Sequence, residues 1–228
     1  MKIGIFSDVH SNYEALKAVI RDLERKEIDR FICAGDLIGY YTRPNEVIST
    51  IQDKKVISVV GNHDAKLLEM ESLFSMTPQA RKSLEWNRNR ISHNNLNYLK
   101  SLPEKMTRNI EGKRIFVTHG SPDKPLEEYV YEKDVSEDLL GDFSENPDII
   151  VLGHTHVPFK KNIGDTIVLN PGSVGQPRDG DSRASYAVLD LEKMEVEHHR
   201  VEYDVEKVAN EVSDHISPEL GKRLRSGK

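Results

Sequence analysis

The sequence predicts an α/β fold: a parallel βα half, a helical insert, and a β-rich half that forms a second sheet. Two patterns carry that prediction. Short apolar runs alternate with amphipathic helical periodicity as far as residue 60, the order that builds parallel βαβ units. The last third then offers short strand-like runs separated by turn residues such as Gly164-Asp165, which read as antiparallel hairpins.

Residues 2–7 form a buried strand that ends at Asp8. Ala15, Leu16, Val19, Ile20 and Leu23 recur at helical spacing over 12–26, with Asn12 as N-cap. A strand at 30–33 and a helix opened by Arg43-Pro44, with Val47, Ile48 and Ile51, lead to a strand at 56–60 that stops at Gly61. From 64 to 106 the pattern is helical, with Thr77-Pro78 as an N-cap and N1 pair and Pro103 as a stop, and Leu84, Trp86 and Ile91 bury these helices against each other. Strands follow at 107–111 and 114–118, then a loop rich in Pro and acids at 121–133, a helix at 134–145 and a strand at 149–152. The β-rich part comprises strands at 158–163, 166–169, 184–191 and 195–202, and a helix covers 205–216. The expected organisation is one domain, 1–216, with its insert at 64–106 and a frayed basic tail at 217–228.

Composition narrows the function. The chain has 228 residues and no apolar run near the ~18 residues that span a bilayer, which excludes a membrane-embedded protein. Lys plus Arg is 32 and Asp plus Glu 38, a net charge of −6 that argues against a nucleic-acid coat protein. Cys33 is the only cysteine, so no internal disulfide forms; with no signal-like apolar region at the start, a cytoplasmic location is expected.

Five of the nine histidines fall beside strand ends together with other metal-compatible residues. In order, the blocks are Asp8-x-His10, Gly35-Asp36, Gly61-Asn62-His63-Asp64, His119-Gly120 and Gly153-His154-Thr155-His156. Open α/β sheets place their sites at the edge beyond the strand C-termini, where such blocks gather. Imidazole and carboxylate ligands together suit Mn, Fe, Co, Ni or Zn. Seven such ligands are too many for one tetrahedral ion, but fit two ions if a carboxylate bridges, with Asp8 and Asp36 as candidates. Two divalent ions against two carboxylates leave a cationic site that suits a phosphate ester, and attack by a metal-bound hydroxide needs no protein nucleophile. His154 and His156, two apart on an extended segment, point the same way as two ligands require, whereas His198 and His199 point to opposite faces and read as structural, as do the helical His93 and His215.

Together these five blocks resemble the calcineurin-like metallophosphoesterases, in particular their small bacterial and archaeal phosphodiesterase branch. The resemblance implies an α/β/β/α sandwich of two packed mixed sheets flanked by helices. It implies that Asp8, His10, Asp36 and His156 hold one divalent ion and Asp36, Asn62, His119 and His154 the other, with Asp36 as the bridge. Mn is the first expectation for both, and Ni, Co, Fe or Zn the alternatives. It further implies that His63 faces the substrate, as proton donor or transition-state stabiliser, and that Asp64 orients His63 by a carboxylate–imidazole contact. Asn170-Pro-Gly-Ser-Val174 resembles a turn that lies near the site in this branch.

The expected activity is hydrolysis of a small phosphodiester or nucleotide substrate. A phosphomonoesterase or dinucleoside polyphosphate hydrolase is the alternative of the same class, and a catalytically silent protein-binding scaffold that of another. A homo-oligomer is compatible with all of them. Arg178 and Arg183 read equally as phosphate contacts or as solvated residues. Tyr13, Tyr40 and Tyr41 read as core or rim packing, and Cys33 as a core residue.

Overall fold

A computed structural model describes residues 1–28, 30–69, 76–140 and 146–228. Strand β1 (Lys2–Phe6) leads through helix α1 (Tyr13–Arg25) to β2 (Arg30–Cys33), and through α2 (Pro44–Asp53) to a short β3 (Ile57–Ser58). These strands are parallel, with Ile3 opposite Arg30 and Ile32 opposite Ile57. Asn12 starts α1 by accepting the N–H of Ala15 at 3.2 Å, and Pro44 occupies the first turn of α2, where its missing N–H costs nothing.

The insert supplies α3 (Asn62–Leu68), α4 (Pro78–Arg88) and α5 (His93–Ser101), before β4 (Lys105–Ile110) and β5 (Lys113–Thr118). A short α6 (Glu137–Leu140) precedes β6 (Ile149–Val151), β7 (Phe159–Ile163) and β8 (Thr166–Asn170). The chain closes with β9 (Ala184–Asp190), β10 (Glu195–Val201), α7 (Val205–His215) and α8 (Pro218–Ser226). Of the helix expected at 134–145, only α6 is seen, after a 3-10 turn at Glu132–Asp134; positions 141–145 lie outside the described residues.

The two sheets have the orders β10-β9-β1-β2-β3 and β4-β5-β6-β8-β7. This corrects the expectation that all the late strands form the second sheet. β9 runs antiparallel to β1, with Gly4 opposite Val188, so the last hairpin completes the first sheet. Its residues are buried from Ala184 to Leu189, as an interior strand requires, while β10, whose residues are half-buried or exposed, makes the edge.

Strand alternation sorts the core into layers. Ile3, Ile5 and Ile32 meet Ile115, Val117, Ile149 and Val151 between the sheets. Phe6, Phe31 and Cys33 face the other way, onto α1 and α2, and Phe116, Ile150 and Leu152 are covered by Val130, Val135 and Leu139. The result is the α/β/β/α sandwich. Among the described residues, no helix is long and apolar enough to cross a membrane.

Two expectations change. The insert helices do not bury their apolar residues only against each other. Leu84 and Ile91 join the core above α1, while Trp86 stacks on His215 of α7 at 4.9 Å. Residues 217–228 are not a frayed tail either. Leu220 and Leu224, one turn apart, are 0% and 1% exposed against α7, and Gly221 lets the two helices touch, since a Cβ there would lie 2.6 Å from the Ala209 carbonyl oxygen. The basic residues lie on the remaining faces of an amphipathic helix.

Candidate metal centre

Asp8, Asp36, His119 and the pair His154 and His156 stand just past the C-terminal ends of β1, β2, β5 and β6, and Asn62 opens α3 after β3. Both sheets therefore deliver side chains to one edge. Asp8, His10, Asp36, His154 and His156 all adopt left-handed backbone, with φ of 54°, 51°, 54°, 68° and 61°. Each such non-glycine residue costs on the order of 1 kcal/mol, a strain that persists because the surroundings over-determine it. The His10 N–H donates to the Asp36 carbonyl at 2.9 Å, and the Asp8 carbonyl accepts from the Gly175 N–H at 2.9 Å and the Ser173 hydroxyl at 2.8 Å. The Asn170–Val174 turn thus lies at the centre, as expected. Gly61 is needed for close approach, because a Cβ there would lie 2.1 Å from Asp36 Oδ1.

Three imidazoles spend Nδ1 on backbone carbonyls: His10 on Ile38 at 3.3 Å, His119 on Ala34 at 2.7 Å and His156 on Gln176 at 2.5 Å. A carbonyl oxygen only accepts, so these nitrogens carry a proton, and in its neutral form each ring presents the Nε2 lone pair inward. Yet His10 Nε2 and His156 Nε2 face each other at 3.2 Å. His119 Nε2 faces Asp36 Oδ2 at 3.4 Å, and His156 Nε2 faces Asp8 Oδ1 at 3.2 Å. Lone pairs aimed at one another suit a shared cation, a proton or a metal ion. Asp8 Oδ1 and His154 Nε2 are also buried without a hydrogen-bond partner. The groups Asp8, His10 and His156, and Asp8, Asp36 and His119, each bring their donor atoms within 4.8 Å of one another, an arrangement that can hold metal ions.

Charge follows geometry. Burial opposes ionisation of Asp8 and Asp36, but His156 beside Asp8 and His119 beside Asp36 hold both carboxyls well below the usual range. Burial favours the neutral rings of His10 and His156 and pushes His154 down to about 3. His119 is the exception: burial disfavours its charge, yet Asp36 pushes it up to about 9. A metal ion bound there would take the place of that proton.

His63 is 5% exposed, its ring centre 4.8 Å from that of His10 and 4.7 Å from that of Tyr40, and its Nδ1 has no partner. Asp64 does not reach it. Its carboxylate accepts from the N–H groups of Leu37 at 3.1 Å, Ile38 at 3.0 Å and Gly61 at 3.0 Å, against burial and Asp36, which push it up to about 7. The expected carboxylate–imidazole contact is therefore replaced by a clasp on the Asp36 loop, because a carboxylate at the third position of α3 turns back onto its own N-terminus. Asp36 places His63 instead, Oδ1 accepting the His63 N–H at 2.8 Å.

Several supporting residues carry no signal in the sequence. Asn87 of α4 accepts from the Ser11 hydroxyl at 2.5 Å and the Gly39 N–H at 3.3 Å, tying the insert to two of the loops. Tyr129 stacks on His154 with ring centres 3.8 Å apart, beside a cleft of about 460 Å³ lined by Asn62, Lys66, Glu69 and Glu127. Arg183 pairs with Asp181 away from the centre, whereas Arg178 reaches the Tyr40 hydroxyl at 3.3 Å. His198 Nε2 binds the Asn170 carbonyl at 2.8 Å while His199 stacks on Tyr186 at 5.2 Å, two separate structural roles.

Two mixed sheets with aspartates and histidines gathered at one edge define the metallophosphoesterase class of hydrolase. The chain belongs to the calcineurin-like phosphoesterase superfamily, whose domain model matches residues 1–194. The metallophosphoesterase from Sphaerobacter thermophilus superposes with a TM-score of 0.83 and 35% identity, covering 100% of this chain and 99% of that one. Uncharacterized protein MJ0912 of Methanocaldococcus jannaschii is 37% identical over 99% of this chain and 98% of its own length. Phosphodiesterase YfcE of Escherichia coli is 26% identical over 86% of this chain and 91% of its own. The superfamily is metal-dependent, and the protein is a phosphoesterase hydrolase by kinship and fold.

Proposed function

We propose that the protein is a dinuclear metal-dependent phosphodiesterase. The observation that carries this reading is the facing pair His10 Nε2 and His156 Nε2, 3.2 Å apart with both Nδ1 protons already committed to carbonyls. In this reading Asp8, His10, Asp36 and His156 hold one ion, and Asp36, Asn62, His119 and His154 the other. Asp36 Oδ2 stands 3.6 Å from His10 Nε2 and 3.4 Å from His119 Nε2, which supports it as the bridge. Mn is the first candidate, with Ni, Co, Fe or Zn suited to the same donors. What the ions supply when bound is Lewis acidity, which neutralises phosphoryl charge and lowers the pKa of water.

The residues of the chain do the rest. Strand ends and carbonyls fix the ligand rings, so little reorganisation accompanies substrate binding. Burial pushes His63 down to about 4 despite the nearby Asp36, so its ring is neutral at physiological pH. That supports a role as hydrogen-bond donor toward the leaving-group oxygen or the transition state, rather than as a standing imidazolium. Asp64 is a positioning residue for the Asp36 loop. The preference for diesters is supported by the relatives named as phosphodiesterases. The buried, unpaired Cys33 is in keeping with a cytoplasmic location.

The test is hydrolysis of a chromogenic phosphodiester and its matching monoester by metal-stripped protein refilled with each metal, alongside Asp36→Asn. Metal-dependent diester turnover lost in Asp36→Asn supports the reading. A monoester or nucleotide-anhydride preference reassigns the substrate, and no turnover with two ions bound makes the protein a scaffold.

A further inference from the structure

The C-terminal helix brings a second guanidinium to the rim of the metal centre. The guanidinium carbon of Arg178 lies 6.0 Å from the centre of the Tyr40 ring, and that of Arg223 on α8 lies 5.8 Å from the same ring. Tyr40 packs 4.7 Å from His10 and 4.7 Å from His63. The two cations share one aromatic side chain that also touches the centre.

Neither has an acidic side chain as partner among the described residues. Arg178 Nη2 donates to the Tyr40 hydroxyl at 3.3 Å and to Gln176 Oε1 at 3.4 Å, Tyr129 also bonds it, and its buried Nε finds no acceptor. Arg223 Nε donates to the backbone oxygen of Lys228 at 3.2 Å. By contrast, Arg43, Arg183, Arg200 and Arg225 pair with Glu211, Asp181, Asp179 and Glu206. In a chain of net charge −6, two guanidiniums held around one ring with no acidic side chain as partner can draw an anion. Their N–H forks match phosphate oxygens.

We propose that Arg178 and Arg223 form an anion subsite around Tyr40 that holds a second phosphate of the substrate while the Asp and His centre takes the scissile one. The substrate class is then a phosphodiester carrying a further phosphate, such as a 3′-phosphorylated nucleotide ester. This rests on the phosphodiesterase reading above. α8, which supplies Arg223, lies beyond the residues matched to the superfamily domain, 1–194.

A matched pair of probes tests it on the metal-loaded full chain: thymidine 5′-(p-nitrophenyl phosphate) and the same ester phosphorylated at the 3′ oxygen. The phosphorylated ester is expected to show kcat/KM at least about tenfold higher, mostly through KM. Arg178→Met and Arg223→Met should each move that ratio toward one, whereas Arg225→Met, on the same helix but paired with Glu206, should keep it. Equal turnover of the two esters, or a ratio that neither substitution moves, overturns the subsite. Calorimetric binding of thymidine 3′,5′-bisphosphate against thymidine 5′-monophosphate separates this proposal from the one beneath it. Tighter, Arg-dependent binding of the bisphosphate without turnover of either ester upholds the subsite and overturns the phosphodiesterase reading; equal binding overturns the subsite. If a Met variant melts early or loses metal, Arg178→Lys and Arg223→Lys carry the comparison.

Discussion

Asp64 and Gly61 are joined by a hydrogen bond of 3.0 Å, the Gly61 N–H donating to Asp64 Oδ2, and this bond rather than any contact with His63 defines what Asp64 does. The same carboxylate accepts from Leu37 and Ile38, so it clasps the loop after β2 to the start of α3. Asp36 and Asn62 sit on the two clasped segments.

Asp64→Ala should leave three buried N–H groups without acceptors, at about 1–3 kcal/mol for each left unsatisfied. A lower thermal midpoint together with metal content below that of the wild type, read by elemental analysis, is the expected result. Normal metal content with reduced turnover would instead give Asp64 a direct part in the reaction.

Gly61→Ala should be severe although the substitution is small, because its Cβ would lie 2.1 Å from Asp36 Oδ1. That oxygen is anchored by the His63 N–H at 2.8 Å and has little room to move. Displacement by about 1 Å costs on the order of a hundredfold in rate, so kcat should fall by about that factor in metal-saturated protein. Wild-type kcat would show that the Asp36 loop yields freely.

Leu220→Ala tests whether α8 belongs to the folded body. Leu220 is fully buried, and its truncation should cost about 2–5 kcal/mol in urea unfolding. A frayed tail would register no change.

Asp148 sets a pH dependence far from the centre. The Arg114 N–H at 2.8 Å holds its carboxyl below the usual range against slight burial, with help from Lys113 at 3.5 Å. A depressed folded-state pKa means that the stabilisation is fully present above the unfolded value of about 3.9 and is lost as pH falls through the folded one. Asp148→Asn should therefore have a lower urea midpoint than the wild type at pH 7, with the gap closing below about pH 4. A gap constant down to pH 3 would assign the effect to shape rather than charge.

The blocks around Asp8, Asp36, Asn62, His119 and His154 were legible because each follows a run whose apolar pattern marks a strand, and a parallel sheet carries strand ends to one edge. The anchoring of α1 by Asn12 was legible for a similar reason: capping is decided within three residues of chain. The pairing of β9 with β1 was not, since strand patterns state burial and not partner, and the hairpin at the end of the chain is β-like wherever it docks.

The role of Asp64 is not legible in the sequence, because adjacency to His63 says nothing about which way a carboxylate turns at a helix N-terminus. Nor is the packing of the tail, whose basic composition masks Leu220 and Leu224 and whose burial depends on the groove that α7 offers. Local spacing thus determined which residues carry the chemistry, whereas the partners of those residues, from Asn87 on the insert to Arg223 on α8, were decided only when the chain folded. Ligand types and strand ends are properties of short segments; contacts between elements tens of residues apart depend on packing that no local pattern encodes.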